Sequence, residues 1–298
     1  MDLPLQSVPN FSEGRDASTI DALGAALAAY ADLLDVHSDA DHHRSVFTLV
    51  GDDISLVEAL LAGIACARER IDLRDHEGAH PRIGAADVVP IVALDPADRE
   101  RAKDCALRLA DRIGSELGLP VFLYGESSAG RGPAFYRRGG PAELQRRIDA
   151  GEVSPDFGPG TLDDRAGGVI VGARNPLIAF NVNLATDDIT LAQRIAETIR
   201  ESSGGLPAVQ AMAVQLENPG QPRYAQVSMY LVDWETTGIA KVVSEIRHLA
   251  RQYGADIDHC ELIGLAPAGA LLEVAADSLA LRDFNADQVL ELRLAKDR

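Results

Sequence analysis

Short apolar runs alternate with longer segments of helical periodicity along the first half of the chain. The runs are rich in β-branched residues, which predicts five strands, over residues 3–8, 33–36, 45–50, 88–94 and 120–124. Between them, apolar residues recur at helical spacing and predict helices over residues 18–31, 54–71 and 96–117. Asp52 or Asp53 is placed to cap the second helix, and Gly118 is placed to end the third.

The second half repeats the pattern with a simpler order. Its apolar runs predict four strands, over residues 177–184, 209–216, 224–232 and 260–265. Its helices are predicted over residues 187–201, 237–253 and 269–279. The order βαββαβ is that of the ferredoxin-like arrangement, and the first half begins in the same order before adding a helix and a strand. The sequence therefore predicts an α+β fold of two ferredoxin-like (βαββαβ) subdomains, which meet near residues 174–178.

The stretch 125–168 between the two halves breaks the pattern, with one modest helical piece over residues 142–148. It is rich in Gly, Pro, Asp and Arg, and long loops of this kind are often functional. Five arginines lie within it, namely Arg131, Arg137, Arg138, Arg146 and Arg147. They form either a solvated charged surface or an anchor for an acidic ligand.

The net charge of -18 makes nucleic acid and anionic membranes poor partners, because both are themselves negatively charged. No apolar run approaches the ~18 residues of a membrane-spanning helix, and no secretory leader precedes the first strand. The three cysteines are widely spaced and form no CxxC pair, as is usual for small apolar residues in a reducing compartment. We expect a cytoplasmic protein that binds neither nucleic acid nor membrane.

Two histidine-rich segments are candidates for metal binding. Residues 76–80 match H-E-x-x-H, but Gly78 and Pro81 oppose the helix that this zinc motif requires, so no metal is expected there. Residues 37–43 are compatible with a solvated polar turn, with a metal site, or with a loop that binds a polar substrate. In the last case Arg44 suits a substrate carboxylate, because a guanidinium is always charged and binds carboxylates bidentately. No nucleophile elbow, phosphate-binding loop or dinucleotide motif is present.

Several segments, taken in order, match one known family. The longest are residues 8–14 (VPNFSEG) and residues 76–90 (HEGAHPRIGAADVVP). Shorter matches lie at residues 44–48, 121–124, 155–158, 172–174, 177–184, 226–228 and 262–265. Together they resemble the signature of the glutamate formiminotransferase family, and they extend over nearly the whole chain.

The resemblance implies an N-terminal formiminotransferase subdomain over residues 1–176, a C-terminal one over residues 177–298, and a homodimer. It implies an enzyme, a glutamate formimidoyltransferase of histidine degradation and one-carbon metabolism. The reaction would transfer a formimino group between N-formimino-L-glutamate and tetrahydrofolate, which acts as co-substrate without a metal. These two small molecules are the expected partners.

The resemblance also assigns site residues. The acid/base histidine of the family precedes a Pro-Arg pair and corresponds to His80, whose ordinary pKa suits proton transfer near neutral pH. Arg44 and Arg82 are candidates to bind the substrate carboxylates, although Arg82 is equally compatible with a structural ion pair. The folate-binding stretch of the family corresponds to Gly158, Pro159, Gly160, Thr161, Leu162, Asp163, Asp164, Arg165, Ala166 and Gly167.

The chain departs from the family pattern at three places. Ala79 replaces a usual Glu, His43 replaces an Asn, and residues 162–166 carry two carboxylates where an anionic folate would bind. These departures keep two other functions open. One is formyl transfer involving 5-formyltetrahydrofolate and glutamate, and the other is folate binding without catalysis.

Overall fold

The computed structural model describes residues 3–76, 81–216, 223–282, 284–290 and 292–293. The chain divides into an N-terminal unit of residues 1–175 and a C-terminal unit of residues 176–298. Each unit has its own sheet and its own buried core. The α+β class predicted from the order of elements is confirmed.

The N-terminal unit contains a seven-stranded mixed sheet. Its strands are β1 (Leu5–Ser7), β2 (Asn10–Phe11), β3 (Asp32–Asp39), β4 (Arg44–Gly51), β5 (Ala86–Ala93), β6 (Val121–Gly125) and β7 (Val169–Arg174). Its α-helices are α1 (Ala17–Ala28), α2 (Asp53–Arg70), α3 (Arg99–Arg112), α4 (Pro133–Arg137) and α5 (Gly140–Asp149). Short 3-10 turns cover Leu73–Asp75 and Pro96–Asp98, and a π-helical turn covers Ile113–Leu117.

The ferredoxin-like arrangement forms one side of this sheet. The short strands β1 and β2 follow one another along a single line, and both pair antiparallel with β4 and β5. Strand β3 completes this part by pairing antiparallel with β4. Strand β7 then joins β5 in parallel, and β6 joins β7 in parallel. The ferredoxin-like set is thus extended by two parallel strands.

Strand β7 was absent from the sequence prediction, which passed from the irregular stretch directly to the strand near residue 177. Its residues VIVGA are all buried, since β7 lies between β5 and β6 inside the sheet. A strand that is buried on both faces shows no alternation of apolar and polar residues, so periodicity alone does not reveal it. The irregular stretch also holds two helices, α4 and α5, where only one was predicted.

Local capping explains where the helices of this unit begin and end. The side chain of Asp52 accepts hydrogen bonds from the backbone N–H groups of Ile54 and Ser55, as the predicted cap requires. At the far end of the α3 segment, Gly118 adopts a left-handed conformation with φ 62°. Such a backbone suits glycine, which confirms the predicted stop.

The core of the unit lies between the sheet and helices α1, α2 and α3. Phe11 and Phe47 are fully buried there and meet edge to face with their ring centroids 5.5 Å apart. Burying a side chain of this size contributes about 1.5–3 kcal/mol, so packing rather than helix propensity holds the helices on the sheet.

The C-terminal unit has the complete ferredoxin-like topology. Its elements are β8 (Ile178–Leu184), α6 (Ile189–Ile199), β9 (Val209–Leu216), β10 (Tyr224–Leu231), α7 (Ile239–Gln252), β11 (Ile257–Ile263) and α8 (Ala268–Leu279). Two 3-10 turns, Glu201–Ser203 and Ala286–Gln288, complete it. The sheet order β11-β8-β10-β9 is fully antiparallel. No helix among the described parts of either unit is long and apolar enough to cross a membrane.

A buried ion pair fastens α4 to the sheet of the N-terminal unit. The side chain of Asp87, in β5, is 2% exposed, and that of Arg137, at the end of α4, is 12% exposed. Arg137 Nε donates to Asp87 Oδ2 over 2.9 Å, and the backbone N–H of Ile83 donates to Asp87 Oδ1 over 2.7 Å. The carboxylate is therefore solvated by the protein instead of by water.

Replacing Arg137 by Met is expected to lower the free energy of unfolding by about 3–5 kcal/mol, because Asp87 is left buried without its counter-charge. Urea unfolding followed by circular dichroism measures this effect. The matched control is Arg138→Met, since Arg138 is the exposed neighbour; it should change stability by no more than about 0.5 kcal/mol. Equal losses in the two variants would contradict a structural role for the pair.

Candidate functional site

The loop after β2 packs against the β3–β4 hairpin at the sheet's edge. A Cβ atom on Gly14 would lie 2.1 Å from the carbonyl oxygen of Asp39 and 2.6 Å from the backbone nitrogen of Arg44. Only glycine allows the two backbones to approach so closely. The motif VPNFSEG therefore brings Glu13 beside the hairpin that carries His42 and His43.

Arg82 connects this hairpin to His76, which follows the 3-10 turn Leu73–Asp75. Its Nη1 donates to the carbonyl oxygen of His43 and its Nη2 to that of His42, each over 3.0 Å. Nη1 also lies 2.7 Å from Nδ1 of His76. Burial lowers the pKa of Arg82 to about 10; the negative charge of Asp87 opposes this effect, and the positive charges of Arg44, Arg137 and Arg15 add to it. The guanidinium stays charged at neutral pH and is held in place by backbone carbonyls.

The hydrogen bonds of His76 define its tautomer. Its Nε2 lies 2.7 Å from the carbonyl oxygen of Ser12, which can only accept, so Nε2 carries the proton. Arg82 Nη1 lies 2.7 Å from Nδ1 and 3.0 Å from Nε2, and with Nε2 protonated only Nδ1 can accept from it. Burial, together with the charges of Arg82 and His43, lowers the pKa of His76 to about 4. At neutral pH this imidazole is uncharged.

His43 stacks on His76, with ring centroids 3.9 Å apart and planes 20° from parallel. Its Nε2 lies 3.1 Å from Oε1 of Glu13. Burial by itself raises the pKa of Glu13, but the backbone N–H groups of Asp16 and Arg15 and the ring of His43 lower it overall. The backbone of His43 is left-handed, with φ 49°, which is uncommon for a residue with a side chain and frequent at functional sites.

His42 has a different partner from its neighbour. Its Nδ1 lies 2.6 Å from Oδ2 of Asp39, and its side chain is nearly buried. Burial alone raises the pKa of Asp39, yet the hydrogen bonds from His42 and the backbone lower it to about 2. His42 and His43 thus contact separate carboxylates, those of Asp39 and Glu13. In the described parts of the chain, no three His, Cys, Asp or Glu side chains are grouped to hold a metal.

His80 lies outside the described residues, as do Glu77, Gly78 and Ala79 of the H-E-x-x-H match. The residues on either side are described. His76 precedes the segment and contacts Ser12, while Arg82 follows it and contacts the hairpin. The described residues on both sides of His80 therefore contact one region of the N-terminal unit, formed by the loop after β2 and the β3–β4 hairpin. Arg44 begins β4 in this region and is paired across the hairpin with Asp39.

The stretch 158–167 is fixed mainly through its last residues. The backbone N–H of Leu73 donates to the carbonyl oxygen of Arg165, and that of Ala85 donates to the carbonyl oxygen of Ala166, each over 2.8 Å. A Cβ atom on Gly167 would lie 2.0 Å from the carbonyl oxygen of Ile83, so a side chain is excluded there. Residues 158–161 are exposed to solvent.

Asp163 is the less exposed of the two carboxylates by which this stretch departs from the family pattern. Its Oδ1 accepts from the backbone N–H groups of Arg165 and Ala166, and its Oδ2 lies 3.2 Å from Nη2 of Arg68. These contacts lower its pKa despite partial burial, which raises it. The carboxylate of Asp163 therefore stabilises the turn over residues 163–166, and Arg68 compensates its charge. Asp164 is exposed to solvent.

The arginine-rich stretch does not act as one cluster. Arg137 is committed to Asp87, and Arg146 pairs with Glu143 on the same helix. Arg147 is 1% exposed, donates to the carbonyl oxygen of Phe135 and stacks on that ring. All three therefore have partners within the protein, and of the three only Arg146 lies on the solvated surface.

Sequence reasoning did not assign Glu13 or His76 to the site. A signal for both was present, because each lies inside one of the two long motif blocks that the family resemblance rests on. Periodicity gave no signal, since both residues lie outside helices and strands.

The comparisons with known proteins agree over nearly the whole chain. The sequence model described as formiminotransferase domain, N-terminal subdomain, matches residues 4–174, and that described as formiminotransferase domain matches residues 179–288.

Curated relatives give the same result. The glutamate formimidoyltransferase of Streptococcus pyogenes serotype M1 is 42% identical, over 97% of this chain and 98% of that protein. The glutamate formimidoyltransferase of Thermoplasma acidophilum is 38% identical, over 98% and 97%. The formimidoyltransferase-cyclodeaminase of Sus scrofa is also 38% identical, over 91% of this chain but only 52% of that longer protein. On this evidence the chain belongs to the formiminotransferase family.

Proposed function

We propose that the protein is a glutamate formimidoyltransferase, which transfers the formimino group of N-formimino-L-glutamate to tetrahydrofolate. Support comes from relatives of that name that match nearly the full length of the chain. The pathway context is histidine degradation and one-carbon metabolism. A homodimer and a cytoplasmic location stay predictions that rest on the family resemblance.

The observation that carries this proposal is the convergence of positive charge beside the histidines. The positive charges of Arg44 and Arg15 lower the pKa of Arg82, whereas Arg137, also nearby, is paired with Asp87. This occurs in a chain whose net charge is -18. A local basic field is what a substrate with two carboxylates needs in order to bind against the overall negative potential.

The reaction needs one bond to form and one to break. The N5 amine of tetrahydrofolate attacks the formimino carbon, and the bond between that carbon and the glutamate nitrogen then breaks. One proton leaves N5 and reaches the departing glutamate nitrogen, so atoms and charge balance. A group that accepts and returns this proton contributes about 10²–10⁴-fold in rate. No covalent intermediate with the enzyme is required.

His80 is the proposed proton carrier, and the state of His76 supports this choice. With a pKa of about 4, His76 is a weak base near pH 7 and has no proton to spare once Nε2 donates to Ser12. Its role is to accept a hydrogen bond from Arg82 and orient that guanidinium. His80 is the proposed carrier instead, because the ordinary pKa of a histidine suits proton transfer near neutral pH.

The remaining assignments divide the substrates between the arginines and the glycine-rich stretch. Arg44 and Arg82 are proposed to bind the carboxylates of formiminoglutamate, with Arg82 also bracing the hairpin. The stretch 158–167 is proposed to contact tetrahydrofolate. The pairing of Asp163 with Arg68 supports this, because it reduces the repulsion that an anionic folate would meet.

The direct test is a single assay with purified protein, N-formimino-L-glutamate and tetrahydrofolate. Mass spectrometry should show the formimino group on the folate and free glutamate in equal amount. Product formed only from 5-formyltetrahydrofolate and glutamate would favour formyl transfer. Folate binding without turnover of either pair would favour the non-catalytic alternative.

Replacing His80 by Gln should lower kcat by ~10²-fold or more, because the proton carrier is lost, while tetrahydrofolate affinity changes little. Steady-state kinetics and isothermal titration calorimetry measure the two effects. His248→Gln is the matched control, since His248 is an exposed histidine on α7. Near-full activity in His80→Gln, or loss of folding and binding together, would rule out the catalytic assignment.

His76 should make the protein less stable in acid. The folded pKa of about 4 lies below the ordinary value of 6.5, so the unfolded chain takes up a proton that the folded chain refuses. Stability is therefore lost as the pH falls from 6.5 towards 4. His76→Gln removes this contribution, and its urea midpoint should fall less between pH 7 and pH 4.5 than that of the unmodified protein. An equal fall in both would contradict the depressed pKa.

Arg44→Gln should raise KM for formiminoglutamate by about 10- to 100-fold, the effect of losing one hydrogen bond to a charged group. The KM for tetrahydrofolate should change by less than about threefold, because Arg44 is proposed to bind formiminoglutamate and not the folate. Arg70→Gln is the control, because Arg70 is an exposed arginine at the end of α2. A rise in KM for tetrahydrofolate alone would assign Arg44 to the other substrate.

A further inference from the structure

Arg15 lies in the loop between β2 and α1, and its side chain reaches across to the β3–β4 hairpin. Its backbone N–H donates to Oε1 of Glu13 over 2.8 Å, and its Nε donates to the carbonyl oxygen of Ala40 over 2.9 Å. The residue is exposed to solvent as a whole. One of its five side-chain N–H groups thus holds the guanidinium against the hairpin.

The carbonyl oxygen of Ala40 is directed at Arg15 by the side chain of Asp39. Oδ1 of Asp39 accepts hydrogen bonds from the backbone N–H groups of Asp41 and His42, each over 2.9 Å. In a trans peptide the N–H and the C=O point in opposite directions. The peptide between Ala40 and Asp41 therefore turns its C=O away from the Asp39 carboxylate and toward Arg15.

The loop that carries Arg15 is fixed as firmly as the hairpin. Oε1 of Glu13 accepts from the backbone N–H of Asp16 as well as from that of Arg15. Asp16 in turn caps helix α1 through the backbone N–H of Ser18. A guanidinium on such a support is preorganised, so less conformational entropy is lost when a ligand binds to it.

The outer edge of the Arg15 guanidinium has no partner in the described parts of the protein. Its Nη1 and Nη2 atoms donate to no group there, and Arg15 takes part in no salt bridge there. The two nearby carboxylates already have other partners, since Glu13 contacts His43 and Asp39 contacts His42. Four N–H groups of Arg15 therefore face solvent or a ligand.

Arg82 is committed to the protein to a greater extent than its neighbour. Its Nη1 donates to the carbonyl oxygen of His43 and to Nδ1 of His76, and its Nη2 donates to the carbonyl oxygen of His42. A carboxylate that binds side by side to two nitrogens of one guanidinium finds that open edge on Arg15.

We propose that Arg15 is a further substrate-binding residue, whose Nη1–Nη2 edge binds one carboxylate of formiminoglutamate. The anion lies beside two neighbouring positive charges, those of Arg15 and Arg82, and reduces the repulsion between them. A carboxylate fits the edge because it accepts two parallel hydrogen bonds from it. The inference rests on the proposed function, which supplies formiminoglutamate as the ligand.

Tetrahydrofolate also carries carboxylates, on its glutamate tail, so the same chemistry has a second source. The amino-acid substrate fits better, because Arg15 adjoins Arg82, which is proposed to bind that substrate. The stretch proposed to contact folate, residues 158–167, is hydrogen-bonded instead to Leu73, Ile83 and Ala85. Separate measurements with the two substrates distinguish the sources.

The first experiment measures the steady-state kinetics of Arg15→Gln. KM for formiminoglutamate should rise about 10- to 100-fold, because hydrogen bonds to a charged group are lost. The kcat and the KM for tetrahydrofolate should stay within about threefold. Arg15→Lys keeps the charge but not the planar edge, so its KM should lie between the two. Arg99→Gln, which changes an exposed arginine at the start of α3, is the matched control and should equal the unmodified protein.

The second experiment changes the substrate instead of the protein. It compares the two carboxamides of formiminoglutamate, in which either the α- or the γ-carboxylate is replaced, through kcat/KM, which is measurable for weakly bound substrates as well. For one carboxamide the unmodified protein and Arg15→Gln should be equal, because the carboxylate that Arg15 binds is missing. For the other, the variant should be about 10- to 100-fold less efficient.

Four outcomes would overturn the assignment. An unchanged KM for formiminoglutamate in Arg15→Gln would return Arg15 to the solvated surface, and equal losses with both carboxamides would show that it pairs with neither carboxylate. A raised KM for tetrahydrofolate alone would assign Arg15 to the folate tail. Weaker use of both substrates with a lower melting temperature would show a structural role. Each of these leaves the proposed function intact, whereas failure of the unmodified protein to convert formiminoglutamate would overturn both.

Discussion

A partly buried guanidinium has to be solvated by the protein, and the candidate site depends on how Arg82 meets this requirement. Its Nη atoms donate to two consecutive carbonyl oxygens of the β3–β4 hairpin and to the ring of His76. His76 is in turn tied to the carbonyl oxygen of Ser12. One side chain thus holds three segments together that are far apart in the chain. A lysine has no planar fork and would not bridge the same set of acceptors.

The ionisation states in this region follow from that arrangement. His76 is neutral because a buried cation beside Arg82 would be doubly unfavourable, through desolvation and through repulsion. Glu13 and Asp39 stay ionised because histidines and backbone N–H groups bond to them. The region around Arg82 thus combines hydrogen-bond donors held in fixed positions, the neutral imidazole of His76 and several guanidinium groups. Such a preorganised environment stabilises charge without having to rearrange during a reaction.

The two units use the same ferredoxin-like order for different purposes. The N-terminal unit adds β6 and β7, which bring the stretch 158–167 against residues 83–85 through glycines that admit no side chain. The C-terminal unit adds no strand and places buried amides on the sheet face opposite its helices. The same order of elements thus accompanies a group of paired charges in one unit and a group of buried amides in the other.

The sequence by itself determined the α+β class, most strands and helices, and the family. These depend on local signals, such as the cap at Asp52, the left-handed stop at Gly118 and the motif blocks around residues 8–14 and 76–90. Tertiary structure alone revealed β7, because a strand buried on both faces has no polar alternation. It also decided which charges are paired. Arg137 meets Asp87 across 50 residues and Arg68 meets Asp163 across 95, and no local pattern encodes contacts at such separations. The tertiary structure also determined the tautomer of His76 and left the side-chain carbonyl of Gln226 without a hydrogen bond among the described residues. Both depend on which groups the folded chain brings within hydrogen-bonding distance.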